Sequence, residues 1–254
     1  MNPCGLVSVT YRNLTPAQVV ETAKTAGLSY IEWGGDIHVP AGDTKTALQV
    51  GALTKAAGLG ISSYGSYYKL GENADPKTAF LPHLACACTL GAPVIRVWAG
   101  TKPSEGCPKD YATRAAKDAK IICGMAAQKC ITVALEYHPN TLTDCAASAL
   151  RFLSLADHKN LKLYWQPDFK KDQRVLLDEL AQVISHVIYA HVFFWDADKK
   201  RLPLSDGIGV WQEFLKLLSN NADCLYLLEF VKDDNPGALP AEANALRQIL
   251  EVQK

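Results

Sequence analysis

Short apolar runs alternate with amphipathic stretches about eight times along the chain. The apolar runs are rich in β-branched and aromatic residues, which is typical of buried strands. The amphipathic stretches carry helix boundary signals, such as Thr15-Pro16 at a start and Gly27 at an end. Because parallel strands need helical crossovers, eight such units in 254 residues predict an α/β fold, a single (β/α)8 TIM barrel. No linker or low-complexity tract divides the chain, so we predict one domain over residues 1–254.

Polar residues interrupt or end the last four predicted strands. Glu136 ends the fifth strand, His191 lies in the seventh and Glu229 ends the eighth. After the sixth strand, Gln166 and Asp168 lie two residues apart, so strand periodicity places both on the same side and does not choose between them. Active sites of TIM barrels lie at the carboxyl ends of the strands. We therefore expect these side chains to converge on one point.

Carboxylates, an imidazole and an amide oxygen form a mixed oxygen and nitrogen donor set. Such a set suits a divalent metal ion, Mn²⁺, Co²⁺ or Mg²⁺, with Zn²⁺ also possible. The predicted metal ligands are Glu136, His191, Glu229 and Gln166, with Asp168 as the alternative to Gln166. A metal ion there would polarise a substrate carbonyl, ease removal of the neighbouring C–H proton and stabilise the enediolate. Glu136 and Glu229 are the predicted catalytic acid and base.

Other side chains at strand ends and in the loops that follow are candidates for substrate binding. Aromatic walls line many small-ligand pockets, and an arginine after the His191 strand could reach hydroxyl or carboxylate groups of a substrate. The predicted substrate-binding residues are His38, Tyr64, Trp98, His138, Trp195 and Arg201. Arg96 lies within an apolar strand, so we expect it to form an ion pair inside the barrel.

Composition narrows the functional classes. Lys plus Arg and Asp plus Glu both number 26, so the zero net charge argues against a nucleic-acid partner and favours a small neutral or mildly anionic substrate. The chain has no N-terminal signal and no membrane-length apolar run, and it has no G-x-G-x-x-G motif. Its eight cysteines form no CxxC pair and are expected to be reduced thiols of a cytoplasmic protein. Homo-oligomerisation is compatible with the sequence, which contains no interface signature.

The whole chain resembles the sugar phosphate isomerase/epimerase superfamily, the xylose isomerase-like or endonuclease IV-like TIM barrels. The resemblance rests on the order and spacing of Ile31–His38, Leu135–His138, Ala190-His191, Arg201 and Leu228-Glu229. It implies that Glu136 and Glu229 bind the metal and move protons, that His191 is a ligand and that Arg201 contacts substrate.

The sixth strand departs from the pattern of this superfamily. An aspartate ligand usually ends that strand, often followed three residues later by a histidine, whereas this chain has Gln166 and Phe169 at those positions. A glutamine oxygen can coordinate a cation but adds no negative charge, so we expect weaker metal binding.

The resemblance and the strand-end residues together predict a metal-dependent isomerase or epimerase of carbohydrate metabolism, of the ketose 3-epimerase or aldose–ketose isomerase type. It would act on a small polyhydroxylated carbonyl compound, a sugar or sugar phosphate, through a metal-bound enediolate. Two alternatives stay open: a keto-inositol dehydratase, which shares the enolisation step, and a non-catalytic sugar-binding barrel with a degraded metal site. An abasic-site endonuclease would need more strand-end histidines and a basic DNA-binding face, which this sequence lacks.

Overall fold

Eight parallel strands form a closed barrel with helices around it, which confirms the predicted TIM barrel. The computed structural model describes residues 4–219, 221 and 224–251. The strands are β1 (Cys4–Val7), β2 (Tyr30–Gly34), β3 (Gly60–Lys69), β4 (Val94–Trp98), β5 (Thr132–Glu136), β6 (Leu161–Trp165), β7 (Val187–Val192), β8 (Phe194–Trp195), β9 (Arg201–Leu202) and β10 (Leu225–Leu228). The helices are α1 (Pro16–Thr25), α2 (Thr44–Ala56), α3 (Pro76–Leu90), α4 (Lys109–Ala127), α5 (Ala146–Ala156), α6 (Gln173–Val183), α7 (Ile208–Leu218) and α8 (Leu239–Glu251).

The barrel strands are ordered β1-β10-β7-β6-β5-β4-β3-β2, and pairing of β10 with β1 closes the sheet. Cys4 lies opposite Tyr226 and Leu6 lies opposite Leu228 in this closing pair. Closure leaves no unpaired strand edge in the barrel, so the backbone polar groups of the apolar strands are satisfied within the sheet.

Alternation along β6 shows how the strands direct side chains to two different layers. Tyr164 points into the barrel and packs with an interior apolar cluster, whereas Trp165 points outward into the core between strands and helices. Gln166, the next residue, points to the same side of the strand as Tyr164 and is buried at the carboxyl end of the barrel. The same alternation places the other strand-end polar side chains above the apolar interior.

Two local features depart from simple alternation of strands and helices. β3 extends to Lys69, which pairs with Trp98 after a shift in register. The segment after β7 contains the two-stranded antiparallel hairpin of β8 and β9, in which Trp195 lies opposite Arg201. This hairpin lies outside the barrel sheet.

The described helices include none that is both long enough and apolar enough to cross a membrane. All eight cysteines are free thiols.

Candidate active site

Six buried polar side chains lie at the carboxyl ends of six barrel strands and form what we call the polar cluster. Its members are Glu32, Arg96, Glu136, Gln166, His191 and Glu229, and none is more than 6% exposed. Burial of so many charged groups is costly unless each finds a partner, so their contacts determine what the site can do.

His191 lies at the centre of the polar cluster. Its Nε2 is 3.3 Å from Oε2 of Glu32. Its Nδ1 is 3.2 Å from Oε1 of Gln166, 3.3 Å from Oε2 of Glu229 and 3.9 Å from Oε1 of Glu136. Burial alone would lower the pKa of His191, but the neighbouring carboxylates of Glu229 and Glu32 raise this pKa to about 10.

Arg96 joins two carboxylates inside the barrel, as the sequence predicted. Its Nε donates to Oε1 of Glu32 at 2.7 Å, and its Nη1 donates to Oε2 of Glu136. The indole N–H of Trp98 donates to the same Glu136 oxygen, while Nε2 of Gln166 donates to Oε1 at 3.2 Å. Burial would raise the pKa of Glu136, but Arg96 and His191 hold that pKa below its usual value. Glu136 is therefore an ionised carboxylate with both oxygens engaged.

Glu229 is the less constrained carboxylate of the polar cluster. Its Oε2 is buried and makes no hydrogen bond of good geometry, although it lies 3.3 Å from His191 Nδ1. The next residue, Phe230, has a φ of +54°, and its N–H donates to Thr10 Oγ1 at 3.2 Å. A left-handed conformation at a non-glycine residue is strained and is often found at functional sites. The chain thus turns sharply just after Glu229.

The donor atoms suit a divalent cation in their chemistry. In the part of the chain that the structure describes, no three His, Cys, Asp or Glu side chains form a ready-made metal centre. However, oxygens of Glu136, Gln166 and Glu229 all lie within 3.9 Å of Nδ1 of His191. Two of these possible donors are carboxylates, so their charge equals that of a divalent ion, while Gln166 offers an oxygen without charge.

A cavity of about 150 Å³ adjoins the polar cluster, and we call it the aromatic pocket. Its lining includes His138, Gln166, Asp168, Phe169, Phe193, Trp195 and Phe230. The indole nitrogen of Trp195 is buried without a hydrogen-bond partner, so the aromatic pocket offers an unused donor. The volume suits a small metabolite rather than a large cofactor. Larger cavities of about 360 and 520 Å³ exist elsewhere, but no member of the polar cluster lines them.

The structure brings most of the predicted site residues to this region. Glu136, Gln166, His191 and Glu229 belong to the polar cluster, whereas Asp168 does not. Asp168 is half-buried in the wall of the aromatic pocket, where its carboxylate accepts from the N–H of Lys170.

Trp98, His138 and Trp195 lie around the mouth of the site. The Trp98 ring stacks on His138 with centroids 4.8 Å apart, and Trp195 packs against Phe230 at 5.1 Å. Arg201 lies at the rim, where it pairs with Asp234 and its guanidinium carbon lies 5.0 Å from the centroid of the Phe230 ring.

His38 and Tyr64, also predicted to bind substrate, lie outside this region, so the structure does not bring them together with the other candidates. The two ring nitrogens of His38 contact Ser8 Oγ and the Leu14 carbonyl oxygen, at 3.0 and 3.1 Å. The Tyr64 hydroxyl donates to the carbonyl oxygen of Val39. Both side chains are buried, so their polar atoms support the loop after β2 rather than a ligand.

Sequence reasoning assigned no role to Glu32, the sixth member of the polar cluster. Its signal was the same one that identified Glu136, namely a carboxylate near the end of an apolar strand, here Tyr30–Gly34. Arg12 was missed as well. Arg12 Nη2 donates to the Tyr67 hydroxyl at 2.8 Å, and the Tyr67 ring lies 5.4 Å from the Arg96 guanidinium.

Gly65 permits the close packing of the ion pair between Glu32 and Arg96. A Cβ atom at residue 65 would lie 2.7 Å from Arg96 Nη2 and 2.8 Å from Glu32 Oε1. We expect Gly65→Ala to lower stability by about 1–3 kcal/mol through overpacking. Thermal unfolding should show a melting temperature lower by about 2–12 °C.

Gly124→Ala is the matched control for this substitution. Gly124 lies within α4, and an added Cβ there would have no neighbour within 4 Å. Removing a helical glycine should raise stability by about 0.5–1 kcal/mol. An unchanged melting temperature for Gly65→Ala would show that the ion pair shifts without cost.

Comparison with known protein families gives one match over most of the chain. Residues 20–249 match the model of a family described as xylose isomerase-like TIM barrel. A 69-residue stretch is 41% identical to a 3-dehydroshikimate dehydratase of Bacillus anthracis. This match takes in 27% of the present chain and spans only 25% of the length of that relative.

Solved structures with the same fold include enzymes of different kinds. The probable 3-DHS dehydratase AsbF of Bacillus anthracis has a TM-score of 0.82 and 23% identity, over 96% of this chain and 98% of that one. D-psicose 3-epimerase of Clostridium cellulolyticum H10, solved with D-tagatose, has a TM-score of 0.73 and 15% identity, over 99% of each chain. These likenesses establish the fold.

Proposed function

Because the chain belongs to the xylose isomerase-like TIM barrel family, we propose that it is an enzyme that removes a proton next to a substrate carbonyl. The substrate class is a small polyhydroxylated carbonyl compound. The supporting observation is the pair of buried carboxylates, Glu136 and Glu229, that face one imidazole at the strand ends beside the aromatic pocket. Buried, differently bonded carboxylates can take different roles in proton transfer.

Glu229 is the base in this proposal. Its Oε2 has no hydrogen bond of good geometry and only the His191 imidazole beside it, at 3.3 Å, whereas both oxygens of Glu136 already accept hydrogen bonds. Removal of the α-proton by Glu229 would leave an enolate or enediolate on the substrate. His191 and Glu136 would orient the substrate oxygens next to this base.

Dehydration is the outcome that this arrangement favours. Epimerisation needs a neutral acid on the opposite face of the substrate, but Arg96 and Trp98 hold Glu136 as a carboxylate. In a dehydration, Glu229 takes the α-proton and returns it to the departing β-hydroxyl, so that water leaves and a C=C bond forms. The local match to a 3-dehydroshikimate dehydratase also supports this outcome.

Aldose–ketose isomerisation is the second candidate. A single carboxylate can move a proton between adjacent carbons on one face of the substrate, so Glu229 alone would suffice. Structural similarity to D-psicose 3-epimerase keeps sugars among the substrates to be tested.

A divalent cation held by Glu136, Gln166, His191 and Glu229 would supply Lewis-acid polarisation of the substrate carbonyl. We expect protein purified without chelator to contain near-stoichiometric Mn, Co, Mg or Zn, measured by elemental analysis. The Glu136→Gln/Glu229→Gln double variant should lose the ion because both charged ligands are gone. Gln166→Asp should bind the ion more tightly, since it adds a third carboxylate. Absence of metal from the wild-type protein, even after soaking in Mn²⁺, would contradict the metal proposal.

The activity test is a substrate panel in D₂O with Mn²⁺, containing 3-dehydroshikimate, a keto-inositol and several ketoses. We expect a cyclic hydroxyketone to lose water, detected by mass spectrometry, after labile deuterons are exchanged back in H₂O, as a product 18 mass units lighter. Deuterium incorporation into a ketose with inversion at C3 would instead identify an epimerase. Binding of a sugar without exchange or water loss in any compound would point to a non-catalytic barrel.

A further inference from the structure

We propose that Glu32 positions two other members of the polar cluster, Glu136 and His191. One of its oxygens fixes Arg96, which holds Glu136, and the other fixes the ring of His191. This proposal deepens the proposed function and rests on it, because it concerns the same site. Glu32 itself is a positioning residue, since it is fully buried and does not line the aromatic pocket.

Glu32 uses each carboxylate oxygen for a different partner. Oε1 accepts from Arg96 Nε at 2.7 Å. Oε2 accepts from Ser63 Oγ at 2.8 Å and lies 3.3 Å from His191 Nε2. A carboxylate that served only to neutralise Arg96 would not need this second set of contacts. The geometry therefore connects β2 with both β4 and β7.

The Arg96 contact fixes the orientation of Glu136. A guanidinium group is planar and rigid, so holding Nε in place also determines where Nη1 points. Nη1 donates to Oε2 of Glu136, which leaves Oε1 of that residue facing His191 and Gln166. Glu32 thus controls, through Arg96, which oxygen of Glu136 is presented to the centre of the site.

The His191 contact fixes the orientation of the imidazole. A carboxylate hydrogen-bonded to one ring nitrogen keeps a proton on that nitrogen and directs the other nitrogen to the site. With Nε2 facing Glu32, Nδ1 of His191 faces Gln166 and Glu229. Tyr164 packs on the ring at 4.4 Å and limits rotation away from this position.

The test compares Glu32→Gln with Ser63→Ala. Glu32→Gln keeps the side-chain size and an acceptor for Arg96, but it removes the charge next to His191. Ser63→Ala is the matched control because it removes one hydrogen bond to Glu32 Oε2, the oxygen that faces His191, and leaves the carboxylate in place. Unfolding curves establish that both variants are folded.

The first readout is NMR of protein with ¹⁵N-labelled histidine. Wild type and Ser63→Ala should show an exchange-protected Nε2–H resonance of His191, identified by its loss in His191→Asn. In Glu32→Gln this resonance should move upfield or disappear. An unprotected or absent Nε2–H in the wild type would overturn the proposal, even if Glu32→Gln failed to fold.

The second readout is affinity for Mn²⁺, measured by titration of the metal-free protein. Loss of a carboxylate that orients a metal-ligating histidine typically weakens binding 10–100-fold, and we expect about this loss in Glu32→Gln. Once a substrate is known, kcat should fall by a similar factor while KM changes little. If Glu32→Gln kept the His191 Nε2–H resonance and the Mn²⁺ affinity of the wild type, the positioning role would be refuted. Because the NMR result needs no substrate, failure of the proposed function would be seen separately as a lack of turnover with an intact His191 signal.

Discussion

Replacing Glu229 with glutamine is expected to slow removal of the substrate α-proton by about 10²- to 10⁴-fold. A glutamine amide has nearly the same size as the carboxylate but cannot accept the proton. Because Glu229 is the carboxylate with an oxygen that lacks a good hydrogen bond, its loss should affect the chemical step directly. Substrate turnover in D₂O, followed by mass spectrometry, measures this step.

Two further variants make the Glu229 prediction specific. Glu213→Gln removes an exposed carboxylate that pairs with Lys216 on α7 and does not line the aromatic pocket, so it should leave turnover unchanged. Glu136→Gln should weaken substrate or metal binding but retain measurable proton exchange at saturating concentrations of substrate and metal. If Glu229→Gln exchanged protons normally and Glu136→Gln did not, the roles of the two glutamates would be reversed.

Replacing Arg96 with methionine is expected to lower the free energy of unfolding by about 3–5 kcal/mol. Arg96 is 2% exposed and bridges Glu32 and Glu136, so its loss leaves two buried carboxylates without their cation. For a chain of this size, the melting temperature should fall by about 6–20 °C. Chemical denaturation followed by circular dichroism gives the free energy directly.

Lys120→Met is the surface control for the Arg96 variant. Lys120 pairs with Asp157 where both side chains are largely exposed, so its removal should change stability by at most about 0.5 kcal/mol. Adding Glu32→Gln and Glu136→Gln to Arg96→Met should recover part of the lost stability, since no buried charge then lacks a partner. A loss below about 1 kcal/mol in Arg96→Met would mean that water or rearrangement compensates the two carboxylates.

The fold was predictable because its buried strands can be recognised in the sequence. Segments such as Leu161–Trp165 are buried on both faces, as parallel strands in a barrel must be, and they therefore appear as short apolar runs. The hairpin of β8 and β9 was not predictable, because it consists of two short strands whose pairing depends on the loop conformation between Trp195 and Arg201.

The site was predictable where a polar residue interrupts an apolar strand. Glu136, His191 and Glu229 were identified because burying such groups without partners is costly, and their parity placed them on one side. Gln166 and Asp168 are two residues apart and so are predicted to point to the same side, and strand periodicity did not choose between them as the metal ligand. The structure separates them because the chain leaves the strand direction after Gln166, and Asp168 then forms a local turn with Lys170.

Sequence patterns did not show which residues form ion pairs across the barrel. Arg96 was expected to pair, but its partners lie on strands distant in sequence and are fixed only by closure of the sheet. The sequence did not show that His38 and Tyr64 lie apart from the polar cluster for a related reason. Their polar atoms contact Ser8 and Val39, and a sequence pattern does not show which side of a loop faces the pocket.

Pairing of β10 with β1 has a consequence for synthesis of this protein on the ribosome. β1 emerges long before its partner β10, so during translation both β1 and β7 have an open edge that only β10 can cover. Glu229 follows β10 directly, so closure of the sheet and completion of the polar cluster depend on the same late segment. A nascent chain that stalls before this segment would therefore lack Glu229 and would expose strand edges, which makes it a natural client for chaperones.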